Sequence, residues 1–207
     1  MSPKAEALAS HTPRGQATRR RLLDAARAII VERDGGMELG EVARRAGVSP
    51  GLPYRYFESK SALLVAVVEE LFDDLDAAVY RPSFEELSED WWERETIRVA
   101  RLVAFFYDEP LGPLVVAQLA GDAAVAEAKH RRVRRQVEGA SRNIALGQKL
   151  GRVPARVDAE LVGAIIIGGV HQAIAAALTR KPRMRKTRVT QGLIAFVRGV
   201  LQLEEGP

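Results

Sequence analysis

Residues 39–64 read LGEVARRAGVSPGLPYRYFESKSALL, and their punctuation predicts three short helices. Leu39, Val42, Ala43 and Ala46 recur at helical spacing, and Gly47 follows where a helix C-terminus favours a left-handed residue. A tight turn comes next. Ser49 is placed to cap a second helix by accepting a backbone N–H, and Pro50 falls at the first helical position, where its missing donor costs nothing. That helix carries Tyr54, Arg55 and Tyr56 before Phe57, which is expected to plug the core. Ser59 then caps a third helix with Lys60 beside its positive end, an arrangement that suits an anionic partner such as a phosphate. A small residue at Ala43, glycine at Gly47 and apolar Val48 let two helices cross closely through a short turn, which is the helix-turn-helix pattern.

The series Ala43, Ala46, Gly47, Val48, Ser49, Gly51, Tyr54, Tyr56, Phe57, Ser59, Lys60 and Leu63 resembles the N-terminal domain of TetR-family transcriptional regulators. The likeness runs over roughly residues 18 to 70. It implies an all-α protein of about nine helices, with a three-helix helix-turn-helix head and a larger helical body for ligand binding and dimerisation. Two departures stand out. Glu38 occupies the place of the family's usual Thr or Ser cap, so a capping box with Glu41 is half missing. Pro53, four residues after Ser49, removes the first internal hydrogen bond of the reading helix and presses on the Ser49 carbonyl; it reads either as a stiffened first turn or as a weakened reading helix.

The resemblance implies that Tyr54, Arg55 and Tyr56 meet DNA in the major groove, with Pro50 and Gly51 allowing close approach. Ser49 and Lys60 would hold phosphates, joined by Arg20, Arg44 and Arg45. Arg19, Arg20 and Arg21 share the start of a preceding helix, which Thr18 is expected to cap and in which Leu22, Leu23, Ala26, Ile29 and Ile30 form the apolar stripe. Those arginines read equally as phosphate contacts or as a solvated face.

The chain has 207 residues, is 47% hydrophobic and carries a net charge of +4, enough apolar content for a packed core. It has no cysteine, which excludes disulfides and thiolate metal sites and fits a cytoplasmic home. Charge is unevenly distributed. Residues 1–60 hold 11 Lys/Arg against 7 Asp/Glu, residues 61–110 hold 4 against 13, and residues 111–207 hold 16 against 7. A basic head followed by an acidic segment fits a phosphate-binding end on a body that does not touch DNA. Three divisions are expected: a disordered arm over 1–15, the DNA-binding domain over 16–60, and the ligand-binding and dimerisation domain over 61–207. The longest apolar run, Leu161 to Val170, is too short to span a bilayer and reads as a buried helix.

In the body, Leu64, Val68, Leu71, Leu75 and Val79 stripe a long helix stopped by Pro82; in the family the corresponding helix transmits ligand occupancy to the head. After a turn at 81–88, Trp92, Thr96, Val99, Val103 and Phe106 are expected on one face of a helix over 90–108. Gln118 shares a later face with Leu111 and Val115. Ala126, His130, Val133, Val137, Ala140 and Ile144 read as the stripe of the next helix, opposite Arg131, Arg132, Arg134 and Arg135. Trp92, Thr96, Val103, Phe106, Gln118, His130 and His171 are therefore the candidate lining of an apolar pocket with a few polar anchors, the competing reading being ordinary core.

The last two helices, over 158–179 and 185–203, expose surfaces that want a partner. By resemblance they pair with their copies about a two-fold axis, with Ile165, Gly168, Gly169, Gln172, Leu193, Phe196 and Val200 as interface candidates. A symmetric dimer places two reading helices about 34–36 Å apart and demands a palindromic operator. The basic link 180–188 between them reads as nucleic-acid or lipid contact, or as a solvated loop. No HExxH, Gly-rich phosphate loop or G-x-S-x-G elbow occurs, so neither catalysis nor a cofactor nor a metal is expected. The expected partners are double-stranded DNA, a second copy of the chain and a small-molecule effector, with no membrane. The rival reading is a helical ligand- or partner-binding protein whose DNA-reading head is weakened.

Overall fold

The computed structural model describes residues 12–81, 88–117 and 119–203. Among them are eight α-helices and no strand. The expected all-helical class is borne out. Described residues up to Leu71, together with those from Leu114 to Lys129, form one compact unit; those from Phe72 to Pro113 and from His130 onward form a second.

In the first unit, α1 (Pro13–Glu32) starts earlier than the sequence suggests. Thr12, not Thr18, is the cap, its hydroxyl accepting from the Gly15 amide at 3.0 Å, and Pro13 occupies the first turn. Thr18 is buried inside the helix and donates back to the Arg14 carbonyl. Residues 13–15 are thus helical rather than part of a disordered arm, and residues 1–11 lie outside the described residues. Leu22, Leu23, Ala26, Ile29 and Ile30 are buried as the stripe predicts.

α2 (Leu39–Arg45) ends in a Schellman arrangement. Gly47 takes φ +65°, its amide donates to the Arg44 carbonyl, and the Val48 amide donates to the Ala43 carbonyl, which satisfies two carbonyls the helix leaves open. Ser59 caps α3 (Lys60–Leu75) by accepting from the Ala62 amide at 3.0 Å. Phe57, Leu63, Leu64, Val67 and Val68 are buried.

In the second unit, α3 runs on into a π-helical turn, Asp76–Tyr80; the expected stop at Pro82 and most of the 81–88 turn lie outside the described residues. Asp90 caps α4 (Trp91–Asp108), accepting from the Glu93 amide at 2.9 Å. Val99, Val103 and Phe106 are buried as expected, together with Leu102, but Trp91 rather than Trp92 enters the core. α5 (Gly112–Ala117) is short and carries the chain back into the first unit, to which a 3-10 turn at Leu119–Gly121 and the start of α6 (Ala123–Lys149) belong, and α6 re-enters the second unit at His130. On α6 the start of the expected stripe is displaced. Ala126 and His130 are exposed, while Val125, Ala128, Gln136 and Ile144 are buried and Arg132 turns inward.

α7 (Ala159–Thr179) is capped by Asp158 and packs with α8 (Lys186–Val200). Its 21 residues are long and apolar enough to cross a membrane by length and composition, which the shorter apolar run did not suggest. Instead, Ile167, Val170, Ile174 and Leu178 are buried inside the body. Gly169 lets α8 approach closely, since a Cβ there would lie 2.7 Å from the Phe196 ring and push it aside. The basic link before α8 finishes α4: Arg183 reaches the Tyr107 carbonyl at 3.3 Å and lies over the Tyr107 ring, and Lys186 pairs with Asp108 at 2.7 Å. Cations at a helix C-terminus stabilise its open carbonyls.

Candidate nucleic-acid interface and body cavity

Between α2 and α3 the chain presents its reading segment, a single 3-10 turn over Pro53–Arg55. The reason lies at Pro53. It has no N–H for the Ser49 carbonyl, and that carbonyl instead accepts from the Leu52 amide at 2.9 Å, an i to i+3 bond that tightens the turn. Pro53 itself is buried, and its carbonyl accepts from both Tyr56 and Phe57.

Outward from this turn, Ser49, Pro50, Gly51, Tyr54 and Arg55 are all exposed, Tyr54 at 59%. Tyr56 is half-buried. Among the described residues Arg55 has no ion-pair partner. The flanking cations are held by carboxylates: Arg20 by Asp24 and Glu70, Arg45 by Glu32 in a two-pronged pair, and Lys60 by Glu38 at 2.7 Å. Arg44 lies 3.7 Å from Glu41. The cations in these pairs are solvent-exposed and such pairs are weak, so a phosphate can displace them. The Arg45 guanidinium holds the Glu32 carboxyl below its ordinary value. Glu38 occupies the α2 cap position with no side-chain cap bond, and Glu41 is drawn to Arg33 at 2.6 Å, so neither half of a capping box forms. Arg19 lies over the Phe57 ring at 5.4 Å.

The second unit contains a cavity of about 390 Å³ between α4, α6, α7 and α8. None of the six described sequence candidates lines it. Val103 and Phe106 are core, Thr96 donates to the Trp92 carbonyl, and Trp92 lies under Arg198. His130 is exposed, His171 is half-buried away from the lining, and Gln118 lies outside the described residues. The actual walls differ in character. Ile166, Ile167, Val170, Val197 and Leu201 make an apolar side; Arg132, Gln136 and Asn143 stand on α6; Asp76 and Tyr80 enter from the π-turn. Arg132 is held by Asp73 at 2.6 Å and Asp76 at 3.2 Å. Burial pushes the Asp76 carboxyl up, against the pull of Arg132, and burial likewise pushes the Tyr80 phenol up. Ala140 and Ile144 of the expected α6 stripe do line the cavity, but Arg132, read as part of the arginine-rich opposite face, also turns into its wall beside Gln136.

Of the seven interface candidates, Ile165, Gly168 and Gln172 face outward, Gly169, Phe196 and Val200 are half-buried, and Leu193 is core. Leu161, 59% exposed, extends the outward row on α7, and Gly192, Ala195 and Gly199 are exposed on α8.

Residues 22–67 match the family model of bacterial regulatory proteins of the tetR family. Over 58 residues the chain is 41% identical to the HTH-type transcriptional regulator BetI of Rhizobium meliloti (strain 1021), a match covering 28% of this chain and 29% of that protein. A TetR-family regulator from Pectobacterium atrosepticum superposes over 100% of both chains with a TM-score of 0.76 at 21% identity. Another, from Syntrophomonas wolfei str. Goettingen, covers 90% of this chain and 96% of its own with a TM-score of 0.75 at 17% identity. These describe a helix-turn-helix head on an all-helical body. The likeness to the tetR family lies in residues 22–67, and over its length the chain shares the fold of these solved regulators.

Proposed function

We propose that the chain is a DNA-binding transcriptional regulator, a repressor that leaves a palindromic operator when a small amphipathic ligand fills the body cavity. The observation that carries this reading is the reading turn itself: Tyr54 and Arg55 project from between a Schellman-ended α2 and a Ser59-capped α3, with Pro50 and Gly51 leaving room for close approach. Tyr54 and Arg55 read bases, while Ser49, Lys60, Arg20, Arg44 and Arg45 hold phosphates. The protein works in the cytoplasm as a homodimer through the outward faces of α7 and α8, and it catalyses nothing.

A solved structure of this fold, RolR, contains its ligand resorcinol (TM-score 0.63, 22% identity), which supports a ligand role for the cavity. Occupancy matters only if the ligand prefers the arrangement unable to bind DNA. Two helices carry cavity residues and also contribute to the first unit: α3 through its π-turn, and α6 through Arg132 and Gln136. Fluorescence anisotropy on DNA fragments flanking the chain's own gene tests the reading. Salt-sensitive, sequence-selective binding is expected; absent or salt-insensitive binding would leave a helical ligand-binding protein whose head no longer reads DNA. Lys60→Ala should weaken binding similarly on all sequences and lower the salt slope by about one, whereas Arg55→Ala should change sequence preference.

A further inference from the structure

We propose that the body cavity takes an amphipathic organic carboxylate, its anion held by Arg132 and Gln136 on α6 and its hydrocarbon part laid against α7 and α8; this rests on reading the cavity as the effector site. The lining is divided by chemistry. Arg132, Gln136 and Asn143 follow at steps of four and seven residues, so they share one face of α6. The apolar side groups come from α7 and α8 and from Val99 and Leu102 on α4, with Ala140 and Ile144 beside the polar row on α6.

Charge favours an anion. Arg81, Arg98, Arg132, Arg135 and Arg142 line the cavity against two carboxylates, Asp76 and Glu95, a formal excess of 5 − 2 = +3. Both carboxylates are already engaged, Asp76 with Arg132 and Glu95 with Arg98. Among the described residues Arg81, Arg135 and Arg142 have no carboxylate within ion-pair distance.

Hydrogen bonding points the same way. Gln136 is 7% exposed, and neither its carboxamide nitrogen nor its oxygen has a partner; the buried Trp91 indole N–H is also unpartnered. Buried polar groups are ordinarily satisfied, and this cavity wall offers donors in excess. A carboxylate supplies acceptors for Gln136 and for the planar guanidinium of Arg132. Asp76 marks the place: it is the longer of Arg132's two contacts, 3.2 against 2.6 Å, and a ligand carboxylate would compete for the same nitrogen. The displaced group belongs to the π-turn that continues α3.

Octanoate, 1-octanol and octylamine, titrated into the full chain, test the proposal by calorimetry and by the emission of its two tryptophans, Trp91 and Trp92. Octanoate should bind about ten-fold more tightly than octanol, and octylamine more weakly than either. Gln136→Leu, and separately the pair Arg135→Gln with Arg142→Gln, should each weaken octanoate about three-fold or more and leave octanol unchanged; the two arginines are exposed, so that pair keeps the fold. Octanol or octylamine binding as tightly as octanoate overturns the anion assignment and leaves the cavity as a ligand site. Failure of all three at millimolar concentration overturns both. Octanoate binding that follows this pattern yet leaves the operator complex intact supports the anion assignment and removes the cavity's role in release.

Discussion

At the scale of single residues, two buried groups depart from what their surroundings ordinarily require. Gln136 holds both polar atoms of its carboxamide out of water with no partner, and an unsatisfied buried amide costs about 1–3 kcal/mol. Gln136→Leu, of similar size, should therefore raise stability in urea by about 1 kcal/mol while it weakens carboxylate binding; a destabilised variant would show that the amide is satisfied in solution. Pro53 is the second. Its ring fills an apolar place, yet it restricts the reading segment to one 3-10 turn by denying the Ser49 carbonyl an i+4 donor. Pro53→Leu restores that donor and should extend the turn, raising operator affinity several-fold in anisotropy titrations; unchanged or lower affinity would favour a stiffened turn already shaped for DNA. Pro53 was legible in the sequence because a missing donor is a local fact. Gln136 was not, because its burial depends on which way α6 faces.

Elements show where such reading succeeds and where it stops. Gly47, Ser59, Asp90 and Asp158 end or begin helices as their types require, since a cap is settled within four residues. The first turns of the α4 and α6 faces were misjudged, Trp92 standing for Trp91 and Ala126 and His130 for Val125 and Ala128, while Val99, Val103, Phe106 and Ile144 are buried as expected. Trp91 and Trp92 are equally apolar, and near-alternation of alanine, valine and arginine on α6 fits two stripes, so only packing decides between them. Glu38 illustrates a cap that fails: it makes no side-chain bond to α2 and pairs with Lys60 instead. Glu38→Ser should stabilise the chain by about 1 kcal/mol in denaturant melts and free Lys60 for phosphate. At the start of α6, Asp122 accepts from the Ser61 hydroxyl at 2.6 Å and from the Ala124 and Val125 amides. The Ser61 bond, followed by the Val125 amide, holds its carboxyl below the ordinary value. A lowered carboxyl contributes stability above its unfolded-state pKa and loses it as pH falls through the folded-state pKa. The melting curves of the protein and of Asp122→Asn should accordingly differ at neutral pH, by a few tenths to about 1 kcal/mol after solvent screening, and converge in acid.

For the whole molecule, one protomer leaves an apolar face without a partner. Leu161 and Ile165 are 59% and 43% exposed on α7, and Gly168 beside them has open space where a Cβ would stand. Gly192 and Gly199 on α8 are equally open. The sequence marked α7 and α8 as helices wanting a partner, but it could not tell which apolar positions face inward, and Leu193 proved to be core while Leu161 did not. An outward row of large residues on one helix, beside small residues on the next, fits a copy of itself across a two-fold axis, where the same patch meets both ways. Ile165→Arg tests this without disturbing the core, because that side chain already stands in solvent. Sedimentation should show a monomer with an unchanged helical signal, since two added guanidiniums would face each other near the axis. Operator affinity should fall more than about ten-fold, because two linked heads bind one palindrome far better than a single head does. A variant that stays dimeric and keeps its affinity would place the two-fold contact on another face of the body.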